Sequence, residues 1–136
     1  MASLRIVHWG DVVSKTGEAL ALDLYLLLHT AKNDLPTVAD IYHECATQSR
    51  NAGSEVAAAM RRPPHFGGTL GPVHDAWITL HDTVHKYLAD TGANLDDTAA
   101  ALSLAVQSYR ATDEGAARGL NRLVNQDGDP AEERGK

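Results

Sequence analysis

The sequence predicts an all-α protein, and three observations carry this prediction. Aromatic residues make up only 5% of the 136 residues, while alanine and leucine, which favour helices over strands, are common. Apolar residues recur at steps of three and four over long stretches, as they do on one side of a helix. A segment rich in proline and glycine near the middle of the chain separates these stretches. We therefore expect a long antiparallel helical hairpin forming a single domain over residues 1–125.

Composition excludes several classes of protein. The formal net charge is −6 and the pI is near 5.5, whereas nucleic-acid binders without sequence preference need clustered lysine and arginine. Cys45 is the only cysteine, so neither an intrachain disulfide nor a Cys-based zinc cluster is possible. The most apolar run, Ala19 to Leu28, is interrupted by Asp23 and lacks a cleavage site behind it. We expect neither a membrane span nor a Sec signal peptide.

The first arm of the hairpin is predicted over residues 12–61, with a kink or break near Pro36. Proline lacks an amide donor and clashes with the carbonyl four residues before it. Asp34 is suitably placed to cap a helix that restarts there. Beyond it, a 4-3 spacing typical of a helix-packing seam joins Val38, Tyr42, Cys45, Ser49, Ala52, Val56 and Ala59.

The turn is predicted over residues 62–71, which contain two prolines and three glycines. The second arm is predicted over residues 72–125. Its seam consists of Trp77, His81, Val84, Leu88, Thr91, Leu95, Thr98, Leu102, Ala105 and Tyr109. Two arms leave much of each apolar stripe uncovered, so we expect a partner to cover the second seam at Trp77, Val84, Leu88, Leu95 and Leu102. Residues 126–136 are polar and rich in helix breakers, which predicts a disordered tail.

Tyr109 and Asp113 form the most distinctive candidate site. In a helix, residues four apart lie on the same side, one turn from each other. The pair would present an aromatic ring beside a carboxylate, and the apolar residues Ala116 and Leu120 follow it. Such a compact, directional mark could be recognised by another protein. The alternative interpretation is an interface tyrosine next to a solvated carboxylate.

These residues resemble a known family. An alanine-rich helical hairpin with Tyr-x-x-x-Asp/Glu at the end of its second helix is similar to the substrates of actinobacterial type VII (ESX) secretion, which include WXG-like and EspC-like proteins. The resemblance runs from Phe66-Gly67-Gly68 through Trp77 and Leu95-Asp96-Asp97-Thr98-Ala99 to Tyr109-Arg110-Ala111-Thr112-Asp113-Glu114, a little over a third of the chain. Phe66-Gly67-Gly68 stands where the WXG motif would be expected, which favours a relative over a standard member.

The resemblance implies a non-enzymatic protein without a cofactor. Tyr109 and Asp113 would be the secretion signal, displayed to the secretion ATPase by a dimer of helical hairpins. We expect another hairpin protein rather than a second copy as the partner. The protein would be cytoplasmic before export and secreted or on the cell surface afterwards. A different class of function is also open: a helical partner or chaperone of a larger secreted protein, which itself stays in the cytoplasm.

The histidines suggest a third hypothesis, a small metal-binding helical enzyme. His74, His81 and His85 would lie on one side of the second arm. His81 and His85 have the four-residue spacing of a helical metal pair, and His43 or Glu44 could supply a third ligand. This spacing alone is a weak signal, because a hydrogen-bonded histidine on a helix seam is common.

Overall fold

The structure is a computed structural model that describes residues 17–130. Its elements in chain order are α1 (Gly17–His29), a π-helical turn (Thr30–Asp34), α2 (Leu35–Ala59), a short 3-10 turn (Pro64–Phe66), α3 (His74–Thr112) and α4 (Glu114–Asp127). Residues 17–130 are mostly helical and form no strand, which confirms the all-α class. The first five residues of the predicted first arm, 12–16, and the last six of the predicted tail, 131–136, lie outside the described residues.

The π-helical turn lies directly before α2, whose second residue is Pro36. The Leu35 amide donates to the Thr30 carbonyl, a bond one residue wider than in an α-helix. The wider turn accommodates the proline, because Pro36 cannot donate to the carbonyl of Lys32. The backbone stays right-handed helical at Asp34, whose side chain makes no capping bond. The expected Asp34 cap is therefore wrong, and its carboxylate lies 3.5 Å from the His29 ring instead.

The segment between α2 and α3 is closed by backbone hydrogen bonds. The Arg62 amide donates to the Thr69 carbonyl at 2.9 Å, and the Gly71 amide donates to the Met60 carbonyl at 3.2 Å. Gly67 has a φ of 100°, a left-handed conformation that side chains disfavour. These features end α2 at the predicted turn and direct the chain into α3.

Contacts between α2 and α3 follow opposite chain orders. His43 of α2 meets Asp96 of α3, Ala46 meets His85, and Ser49 meets His81. The contacted residue on α3 thus falls in number as the chain advances along α2. This packing of α2 on α3 is the most extensive between helices in the described part of the chain.

The predicted second arm is divided at Asp113. This residue has extended backbone (φ −126°, ψ 102°), and α4 begins immediately after it. α4 packs on α1 and shares a hydrophobic core with it. The core residues are Leu24, Leu28, Val106, Ala116 and Leu120.

The end of α4 is fixed to the π-helical turn. Lys32 Nζ donates to Asp129 Oδ1 at 2.9 Å, and Pro130 is fully buried. The disordered tail predicted from residue 126 is therefore wrong for residues 126–130, which hold the end of α4, the ion pair and a buried proline. Among the helices described, none has both the length and the apolar character needed to cross a membrane.

Candidate interaction surface

The face of α2 that packs within the chain is a regular 4-3 series. Along α2 and its C-cap, the buried and half-buried residues fall on one stripe, with Pro36 as the single half-buried residue outside it. The stripe is formed by Leu35, Ala39, Tyr42, Ala46, Ser49, Gly53, Val56 and Met60. Tyr42, Ser49 and Val56 also belong to the predicted seam. At the alternate positions the predicted seam is one residue away from the observed stripe: the predicted Val38 and Cys45 are exposed, and their neighbours Ala39 and Ala46 are buried.

The same offset occurs on α3. Its packing stripe is formed by His81, His85, Leu88, Gly92, Leu95, Ala99, Leu102 and Val106. The half-buried residues Leu88, Leu95 and Leu102, predicted to meet a partner, lie on this stripe. Val84 does not, and is 45% exposed. Trp77 is half-buried and stacks on His81, with ring centroids 4.9 Å apart.

Two glycines admit the rings of two histidines. A Cβ at Gly53 would stand 2.5 Å from Cε1 of His81, and a Cβ at Gly92 would stand 2.8 Å from Cε1 of His43. Each helix therefore inserts a histidine against a glycine of the other. The sequence interpretation missed His43, Gly53 and Gly92 as packing residues, although a signal was present. On each arm a glycine follows a histidine by ten or eleven residues.

His81 is the most constrained of these rings, with a side chain that is 13% exposed. Nε2 donates to the Ser49 carbonyl at 2.6 Å, and Nδ1 donates to Asp82 Oδ1 at 3.1 Å. The bond to the Ser49 carbonyl, followed by the bond to Asp82, raises the pKa of His81 above its ordinary value. Both ring nitrogens therefore face acceptors, an arrangement that suits the protonated ring.

The candidate metal ligands do not converge. His74 Nδ1 bonds to Asp75, His85 Nδ1 donates to the Ala46 carbonyl, and both nitrogens of His81 are engaged. The possible third ligands are also bonded elsewhere, since His43 pairs with Asp96 and Glu44 accepts from Gln48. Within residues 17–130, no three such side chains are gathered as a metal would require. Three of the histidines, His43, His81 and His85, instead join the two helices.

Tyr109 lies in the last turn of α3, and its side chain is exposed, at 53%. The Asp113 amide donates to the Tyr109 carbonyl at 3.0 Å, so the two residues remain one turn apart. Asp113 Oδ1 accepts a hydrogen bond from the Ala116 amide at 2.8 Å and thereby caps α4. The helix expected to continue through Asp113 ends there instead. The aromatic member of the pair is accessible, while the carboxylate is half-buried and already holds one partner.

Ala116 and Leu120, the apolar residues after the pair, are fully buried. They contact the α1 side of the core rather than the surface. Their burial fixes the start of α4 against α1. Together with the Asp113 cap, this determines where the Tyr109 side chain stands relative to the rest of the protein.

An exposed apolar stripe runs along the first half of α3. Val73, Leu80, Val84 and Tyr87 are separated by steps of seven, four and three, which places them on one side of the helix. Their exposed fractions are 64%, 64%, 45% and 69%. This exposed stripe lies beside the packing stripe of α3 and is not used in packing α3 on α2.

No family model, curated protein or solved structure matches the chain. The fold and surfaces of residues 17–130 define an all-α protein with an accessible aromatic residue at a helix junction and an uncovered apolar stripe. Of the two features, a contiguous apolar stripe is the one that surfaces contacting other proteins share, whereas single exposed apolar residues are common on all proteins.

Proposed function

We propose that this chain is a non-enzymatic protein of the type VII (ESX) secretion class, with Tyr109 and Asp113 as its export signal. The observation that carries the proposal is the exposed Tyr109 ring, one hydrogen-bonded turn before Asp113. The sequence resemblance to EspC-like and WXG-like proteins supplies the class. In this proposal the secretion ATPase contacts the tyrosine ring and the free oxygen of the Asp113 carboxylate.

The proposed architecture is a long antiparallel helical hairpin, kinked near Pro36. The opposite chain order of the contacts between α2 and α3 supports the hairpin. The π-helical turn before Pro36 supports the kink, because π-type turns are a recognised cause of helix bending.

The proposed partner is another helical hairpin protein, in a heterodimer rather than a homodimer. The exposed stripe of Val73, Leu80, Val84 and Tyr87 supports a partner helix, since a 4-3 series of apolar side chains fits the groove of a second helix. The complex would form in the cytoplasm and leave by a route that needs no signal peptide, to be secreted or held at the cell surface.

The proposal is tested by export of Tyr109→Ala from an actinobacterial host with an active type VII system. Leu104→Ala is a matched control, because Leu104 is also an exposed apolar residue on α3, at 65%, and lies outside the stripe proposed to bind the partner. We expect Tyr109→Ala to accumulate in the cell lysate and to be lost from the culture filtrate. Leu104→Ala should keep both the signal and the partner surface, so it should be exported at the native level. Normal export of Tyr109→Ala would contradict the proposal.

The exposed stripe also favours a second candidate, a cytoplasmic helical partner or chaperone of a larger secreted protein. In that case the unmodified chain would stay in the lysate, and Tyr109→Ala would change nothing. Leu80→Ala would then release the larger protein from a co-purified complex. The location of the unmodified chain separates the two candidates.

A further inference from the structure

We propose that the contact between α2 and α3 is a proton-dependent clasp. The protonated His81 ring, seated against Gly53, holds the two helices together, and loss of its proton as the pH rises weakens the contact. This inference goes beyond the proposed function and does not depend on it. It concerns how tightly the two longest helices are joined, rather than what recognises them.

The geometry at His81 requires two donors. Nε2 lies 2.6 Å from the Ser49 carbonyl oxygen of α2, and Nδ1 lies 3.1 Å from Asp82 Oδ1. A carbonyl and a carboxylate can only accept, and a neutral imidazole has a single N–H. Deprotonation would therefore leave one nitrogen of a ring that is 13% exposed facing an oxygen lone pair, either of the Ser49 carbonyl or of the more exposed Asp82 carboxylate.

The ring cannot easily move to avoid this conflict. The His81 ring occupies the space that is left because Gly53 has no side chain, and the Trp77 ring stacks on the His81 ring at a centroid distance of 4.9 Å. On its other side the His85 ring lies nearly parallel, at 6.3 Å. The ring is thus held between two neighbours of its own helix and the backbone of α2.

The groups that face His81 fix the sign of the effect. From α2 the ring meets the Ser49 carbonyl and hydroxyl and the Gly53 backbone, all uncharged. From α3 it meets the Asp82 carboxylate and the titratable His85 ring, whose Nδ1 donates to the Ala46 carbonyl. Asp82 favours the protonated ring, while a charge on His85 would oppose it.

The raised pKa of His81 gives the direction of the pH dependence. The folded protein holds this proton more tightly than the unfolded chain does. The contribution to stability is complete below the ordinary histidine pKa of about 6.5. It is lost as the pH rises through the higher pKa of the folded state. Stability falls with rising pH wherever the native state binds more protons than the unfolded state does.

The experiment compares urea unfolding of the full chain with that of His81→Gln and His65→Gln between pH 5.5 and 8.5. His65 is an exposed histidine in the turn and makes a matched control. Above about pH 6.5 the unfolding constant of the native protein should rise relative to that of His81→Gln, by up to about tenfold per pH unit. His65→Gln should follow the native protein. If the unfolding constants of the native protein and His81→Gln changed in parallel between pH 5.5 and 8.5, the proposal would be overturned.

Nitrogen-15 NMR of the imidazole rings decides the question even if His81→Gln does not fold. In the native protein, His81 should titrate above the ordinary histidine pKa of about 6.5, with both ring nitrogens protonated at pH 6.5. A neutral His81 ring at that pH, or a titration midpoint at or below about 6.5, would contradict the proposal.

Discussion

The His81 ring of α3 occupies the space that a side chain at Gly53 of α2 would need. A Cβ there would stand 2.5 Å from Cε1 of the ring, closer than carbon atoms approach without a shift. The relation recurs in reverse, since the His43 ring of α2 lies where a Cβ at Gly92 of α3 would be, 2.8 Å from Cε1. The two helices are therefore interlocked at two positions, each with a histidine from one helix and a glycine from the other.

Gly53→Ala should destabilise the protein because the added methyl group collides with His81. On an exposed helix this change would stabilise by about 1 kcal/mol, so its sign is diagnostic. We expect a net loss of about 1–3 kcal/mol, the usual cost of overpacking, measured by urea unfolding. The combined change Gly53→Ala with His81→Ala should lose less than the sum of the single changes. If Gly53→Ala were stabilised, the His81 ring would not occupy the space beside Gly53.

The sequence predicted the seams only in part, for a physical reason. Tyr42, Ser49 and Leu88 were placed on the right stripes because the 4-3 spacing identifies one side of a helix. At alternate positions the interpretation chose Val38 and Val84, which are more apolar than the packing residues Ala39 and His85 next to them. Close approach of two helices instead selects small residues, and the histidine rings fill the remaining space. Hydrophobicity alone cannot distinguish these two neighbouring stripes.

The junction at Asp113 was missed for a related reason. Ala116 and Leu120 continue the helical period of α3, so no change of pattern marks the break. An aspartate followed by Glu114 is a recognised start signal for a helix, and this signal could have been used. The sequence did place Tyr109 near a helix end and gave the all-α class. Whether the pair acts in export stays a prediction.

Leu120→Ala should be severely destabilising, because Leu120 is fully buried between α4 and α1. Removing such a side chain costs about 2–5 kcal/mol. Leu104→Ala is the matched control, since Leu104 is 65% exposed and its loss should cost less than about 1 kcal/mol. Both are measured by chemical unfolding. Equal effects of the two changes would contradict the packing of α4 on α1.

Asn33→Leu should stabilise the protein. Asn33 lies in the π-helical turn, is 9% exposed, and neither polar atom of its amide has a hydrogen-bond partner in the described part of the chain. A buried amide without partners costs about 1–3 kcal/mol, which an apolar residue of similar size avoids. A higher midpoint of thermal unfolding is the expected result. A fall of several degrees would mean that the amide contributes to folding.

Asp113→Ala should weaken the start of α4, because the carboxylate caps the Ala116 amide. Loss of an N-cap costs about 0.5–2 kcal/mol. Asp113→Asn should be close to the native protein, since asparagine caps equally well and only the charge is removed. Thermal unfolding of both variants by circular dichroism checks this difference. If both lose the same stability, the charge rather than the capping bond holds the junction.

Export of Asp113→Asn from a host with an active type VII system tests the central claim most directly. The variant keeps the α4 cap and the exposed Tyr109 ring and lacks only the carboxylate charge. The account predicts that it folds with an unfolding midpoint close to that of the native protein and is missing from the culture filtrate. Export at the native level would contradict the assignment of Tyr109 and Asp113 as a secretion signal.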